Sequence, residues 1–119
     1  MRISPVDPFL ERGIALFNRG EYFECHEVLE EGWTPERGPR RLFLQSLIHM
    51  AVGCYHGQRG NPLGAMRQLR KGLRKLGAYL PVCESVDTGR LDREVRLVLE
   101  RIEAGEAIST YPRIRVLVD

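Results

Sequence analysis

No apolar run in this 119-residue chain is long enough to span a bilayer. The most apolar stretch, Leu42 to Tyr55, is broken by Gln45 and His49, and the opening "MRISPVDPF" has no apolar signal-peptide core. Neither a membrane span nor a signal peptide is expected, and a cytoplasmic location follows by default. Cysteine is scarce: Cys25, Cys54 and Cys83 are odd in number, far apart and without a C-x-x-C pair. That excludes a disulfide framework and a zinc knuckle and leaves them as small core residues. Charge of one sign is missing regionally. Residues Arg37 to Cys83 hold nine bases and no acid, whereas Asp7 to Glu31 hold seven acids and two bases, although the net charge is only +2. Composition, with 43% hydrophobic and 29% charged residues, is that of one ordinary globular domain with a modest core.

Proline and glycine punctuate the chain into helices. Asp7-Pro8 supplies a cap and a proline at the first helical position, which predicts a helix over Pro8 to Asn18. A second helix, about Glu21 to Trp33, must stop before Pro35, because the residue before proline is pushed out of the α region. After Gly38-Pro39, "RRLFLQSLIHMAVGCYHGQ" is apolar nearly all the way round and reads as the buried central helix. Asn61-Pro62 opens an amphipathic fourth helix ending before Pro81, with Leu63, Met66, Leu69, Leu73 and Leu76 inside. Arg67, Arg70, Lys71, Arg74 and Lys75 lie on its outer face. A fifth helix over residues 90–105 carries the stripe Leu91, Val95, Val98 and Ile102, and the tail 111–119 is expected to lie extended along the surface. With no convincing β-hairpin, the fold class is all-α: a single compact domain, hairpins over 7–33 and 39–80, and a C-terminal helix that lids the core.

The two hairpins repeat. A shift of forty residues pairs Gly13 with Gly53, Gly20 with Gly60, Cys25 with Ala65, Leu29 with Leu69 and Gly32 with Gly72. Small residues at these points let two antiparallel helices approach closely, and the pattern resembles a tetratricopeptide helical hairpin. The spacing is forty rather than about 34 residues and there is no third copy. Hairpin geometry is therefore carried over, and peptide binding is not.

The stretch "CHEVLEEGW" is unusual for its histidine and glutamate. At about 100° per residue, His26 and Glu30 fall in the same sector as Tyr22, Leu29 and Trp33, while Glu24, Glu27 and Glu31 point away. On the central helix Arg41, Gln45, His49 and His56 form a polar stripe on what should be a buried surface. The economical arrangement sets the two stripes face to face, because burying such groups without partners costs several kcal/mol.

Three readings of this cluster compete. The first is a satisfied hydrogen-bond network, with Glu30 accepting from Arg41 or a histidine, that fixes the docking of the hairpins. The second is a divalent-metal site of His26, Glu30 and His49, with His56 as a further ligand, although "HEVLE" matches neither H-E-x-x-H nor Glu-x-x-His. The third is a ligand pocket or acid/base site built on a His–Glu pair. No nucleophile is evident: Ser46 needs a base beside it, and Cys25 and Cys54 read as core. Trp33 reads as a core anchor first and a pocket wall second. The cations of the fourth helix read as a solvated face before a nucleic-acid site, since no aromatics interleave to stack bases. They would equally suit the acidic face of helix two in a second subunit.

"FNRGEYFECHEVLEEGW" followed by "RRLFLQSLIHMAVGCYHGQRGNPLGAMRQL" is similar to the small bacterial and archaeal domains grouped as domain-of-unknown-function family 309. The resemblance covers about Phe17 to Leu76, and its most specific part is H-E-x-x-E-x-x-W at His26, Glu27, Glu30 and Trp33. Gln45, His49, His56 and the "GNPLGA" turn fit as well. The resemblance implies a compact helical domain with a central helix surrounded by others, and no established activity. Two functions are therefore expected in turn: a small non-enzymatic binding or interaction domain, with a protein partner or a second copy, or a metal-dependent hydrolase-like enzyme using His26, Glu30, His49 and His56.

Overall fold

The computed structural model describes residues 7–117. Five helices follow in order: α1 (Pro8–Asn18), α2 (Tyr22–Trp33), α3 (Arg41–Gln58), α4 (Pro62–Leu76) and α5 (Thr88–Glu103). A 3-10 turn, Gly77–Tyr79, extends α4. The fold is all-α, with only isolated bridges Cys83–Val86 and Val86–Val116 and no strand among the described residues. Each of the first four helices packs on the next, α3 lies between α2 and α4, and α5 packs on α4.

Local chemistry sets the starts. Asp7 accepts from the backbone N–H of Phe9 and Leu10, Asn61 from Gly64 and Asp87 from Arg90, so three helices open on an Asx cap. Pro8 and Pro62 follow their caps directly, where a missing N–H costs nothing.

The forty-residue repeat is present as geometry. A Cβ added at Gly13 would stand 2.5 Å from Leu29 Cδ2, and one at Gly53 would stand 2.8 Å from Leu69 Cδ2. The second glycine pair is close-packed in both hairpins but on different partners: Gly32 sits on Phe9, and Gly72 sits on Met50 and the Ser46 carbonyl. Both hairpins turn on a left-handed glycine, Gly20 at φ +78° and Gly60 at φ +71°. The turn hydrogen bonds match, Glu21 N–H to Leu16 O at 3.0 Å and Asn61 N–H to His56 O at 2.9 Å. This is the glycine-capped helix end that satisfies the last carbonyls of each first helix.

The core is continuous, from Leu10, Phe17 and Leu29 through Phe43, Leu47 and Met50 to Leu69, Leu76, Leu91 and Val95. Cys25 and Cys54 are buried in it and Cys83 is half-buried, all three as free thiols. Leu63, expected inside, is 52% exposed in the first turn of α4. Lys75, expected on the outer face, is half-buried. The tail corrects a further expectation. It is extended, but Pro112 and Ile114 are buried, the Asn18 amide bonds both backbone groups of Ile114, and Arg115 O and Leu117 N–H are tied to Asp87 and Ser85. Residues 118 and 119 of that tail lie outside the described residues.

One guanidinium ties three segments together. Arg40, just before α3, reaches Asp7 at 2.9 Å, Glu36 at 3.2 Å and Glu84 at 2.8 Å. The cap of α1, the α2–α3 connection and the turn before α5 are thus held at one point. Bidentate contact with Glu84 is what an Arg supplies and a Lys would not.

Candidate binding cleft

The polar stripes of α2 and α3 do not meet in a dry interface. They line an open cleft of about 260 Å³ walled by His26, Glu30 and Trp33 from α2, Gln45, Ile48, His49 and Val52 from α3, and Gln68 from α4. Glu30 is 49% exposed at its side chain and His26 23%. On α3, Gln45, His49 and Val52 are half-buried along this strip, and the face-to-face pairing that the sequence suggests is not formed.

Each side chain has a distinct setting. His26 Nδ1 donates to its own helix at Phe23 O, 2.7 Å, which leaves Nε2 facing Glu30 Oε1 at 3.7 Å, beyond hydrogen-bond reach. His49 uses both ring nitrogens: Nδ1 donates to Gln68 Oε1 at 2.8 Å, and Nε2 accepts from Lys75 Nζ at 2.7 Å. Burial lowers the His49 pKa, the Gln68 bond works against that, and Lys75, Lys71 and Arg74 lower it further, so the neutral ring is favoured. Arg41 closes the end of α2, donating to Trp33 O at 2.8 Å and Glu36 O at 2.7 Å, with its guanidinium 3.9 Å from the Trp33 ring centroid. Trp33 is half-buried against the core, and its Nε1 is buried with no hydrogen-bond partner among the described residues.

Of the sequence candidates, His26, Glu30, Trp33, Gln45 and His49 come together, and Arg41 adjoins them through Trp33. Glu27 is exposed and His56 stands apart in the last turn of α3, where Asn61 Nδ2 donates to its Nδ1 at 3.1 Å. Glu30 does not accept from Arg41, whose Nη1 donates to the Trp33 and Glu36 carbonyls instead. The set His26, Glu30 and His49 does not form a metal cage either. Among the described residues no three His, Cys, Asp or Glu side chains are gathered for an ion, and both His49 nitrogens are already bonded.

The sequence pattern misses Gln68 and assigns Lys75 only to the outer basic face. Their spacing of i and i+7 puts them on one side of α4, which was the available signal. The basic face is also partly engaged: Arg70 pairs with Glu103 at 2.8 Å and Lys75 with His49, while Arg67, Lys71 and Arg74 are exposed. No cleft wall carries a hydroxyl or thiol nucleophile. Ser46 is fully buried and donates to Phe43 O, and burial pushes the Cys25 thiol up to about 12 and the Cys54 thiol higher still.

The family model described as "Domain of unknown function (DUF309)" matches residues 10–68. The chain carries a domain of this family. The matched DUF309 span takes in α1, α2, α3 and the first half of α4, hence every cleft wall. The chain is also 37% identical over 97 residues to the "Uncharacterized protein YpuF" of Bacillus subtilis (strain 168), an alignment covering 79% of this chain and 54% of that protein. The chain thus spans about half the length of the curated relative it matches. No helix among the described residues is long and apolar enough to cross a membrane.

Proposed function

We propose that the protein is a small binding domain and that the cleft between α2, α3 and α4 holds its ligand or a partner's polar segment. One observation carries this reading: side chains from three helices converge on an open cleft with hydrogen-bonding capacity left over. His26 Nε2 has only a distant carboxylate for company, and Gln45 makes no side-chain hydrogen bond among the described residues. Ile48 and Val52 give the same cleft an apolar floor, the mix that small binding sites use. The hydrolytic reading is not favoured, because the cleft walls carry no hydroxyl or thiol nucleophile and, among the described residues, no gathered set of ligands.

Trp33 is the sole tryptophan, so its fluorescence reports on the cleft directly. Short polar peptides titrated against the wild type are expected to include some that change this emission saturably, with the change lost in Gln45→Ala while the circular dichroism spectrum stays the same. Turnover of any substrate in a broad hydrolase screen, abolished by His26→Ala, would overturn the proposal.

A further inference from the structure

Of the 18 lysines and arginines in this chain, only Lys71 and Lys75 are lysines. The two cations differ chemically: a guanidinium stays protonated and inert, whereas an ammonium can lose its proton and become a nucleophilic amine. Lys75 has the setting for that. It is half-buried on α4, and its Nζ is held 2.7 Å from His49 Nε2 on α3, a ring itself fixed through Nδ1 on Gln68. The charged groups that bear on it are Lys71 and Arg74 of its own helix, and no carboxylate pairs with it among the described residues. Burial first, then those two cations, lower the Lys75 pKa. The same surroundings keep His49 neutral, so the ring orients the amine without adding a charge of its own.

We propose that Lys75 is a reactive amine that captures an anionic aldehyde as an imine at the edge of the cleft. The free-amine lone pair adds to the carbonyl carbon, and the carbonyl oxygen takes up a proton to give a carbinolamine. Loss of that hydroxyl with the remaining nitrogen proton as water leaves the C=N bond, with no change in oxidation state. Lys71 and Arg74 supply the attraction for the anionic group, and His49 is the positioning residue. The inference is independent of the binding reading, since Lys75 reactivity is measured with nothing else in the cleft.

The test uses the whole chain and pyridoxal 5′-phosphate as the probe. Imines are trapped with borohydride and located by peptide mass spectrometry across about pH 6 to 9, a range below the usual lysine value. Lys71, exposed and one turn away, is the internal control. Lys75 is expected to take up the label several-fold faster than Lys71 near neutral pH, although it is the less accessible amine. Lys75→Arg should remove the fast phase and leave Lys71 labelling as before. In His49→Gln the midpoint of the Lys75 pH profile should move, a readout that simple loosening of the fold would not single out. Equal labelling of the two lysines in the wild type, or faster labelling of Lys71, would overturn the proposal without any variant having to fold. An unmoved midpoint in His49→Gln would remove His49 from it.

Discussion

The α1–α2 and α3–α4 hairpins share a frame and differ in what they show to solvent. Gly13 against Leu29 corresponds to Gly53 against Leu69, and the Gly20 turn corresponds to the Gly60 turn. Yet α2 carries Glu24, Glu27, Glu30 and Glu31, where α4 carries Arg67, Arg70, Lys71, Arg74 and Lys75. Phe9, which packs on Gly32, has His49 as its counterpart forty residues on, and His49 is a cleft wall. Close helix approach depends on a few small residues and one leucine per hairpin. Everything else on the second helix is free to change, and that freedom gives the molecule one acidic and one basic flank around a shared groove.

The comparison is broken most strongly at the leucines. Leu29→Ala and Leu69→Ala are each expected to cost about 2–5 kcal/mol in urea unfolding, the range for fully buried leucines. Similar values would support an equivalent frame; a large difference would show that one hairpin relaxes where the other cannot. Next come Gly13→Ala and Gly53→Ala, where the new methyl overlaps the leucine and should cost about 1–3 kcal/mol. Combining Gly53→Ala with Leu69→Ala should cost less than the sum, because the truncated leucine leaves room for the methyl.

Positions 18 and 58 sharpen the contrast. Asn18 holds both backbone groups of Ile114, at 2.7 and 2.8 Å, so Asn18→Ala should cost about 1–3 kcal/mol by stranding them. Its counterpart Gln58 is exposed and donates to Gly20 O at 2.9 Å, and Gln58→Ala should stay within about 0.5 kcal/mol. The smallest expected effect is a pH dependence. His49 has a lowered pKa in the fold, so the unfolded chain binds the proton more readily; its contribution to stability is present above about pH 6.5 and is lost as the pH falls below that value. Stability measured from pH 7 down to pH 5 should fall less steeply in His49→Gln than in the wild type.

Much of the fold was legible in the sequence. Asp7-Pro8 and Asn61-Pro62 marked two helix starts because cap and proline act locally, and α1 begins and ends where the pattern placed it. The forty-residue repeat was legible because glycine at a close approach has no substitute. The site was legible only in part. Periodicity put His26 and Glu30 on the side of α2 that faces α3, but it does not say how wide the interhelical groove stays, and the pair proved wet rather than dry. Lys75 misled because its long stem reaches inward from a position that a helical wheel places outside. The burial of Ile114 depends on Asn18, 96 residues away, and no local pattern reports a partner at that distance.

That last pairing bears on how the chain folds. The glycine–leucine clasps join residues sixteen apart, so each hairpin closes a short loop at small entropic cost. The Asn18–Ile114 bonds close nearly the whole chain, and their ordering entropy is recovered only once α5 has docked. The hairpins are therefore the early, local units of assembly and the tail is the late one. In native-state hydrogen exchange, the Ile114 amide should open at a lower free energy than the amides of α3, detaching the tail while the two hairpins stay closed.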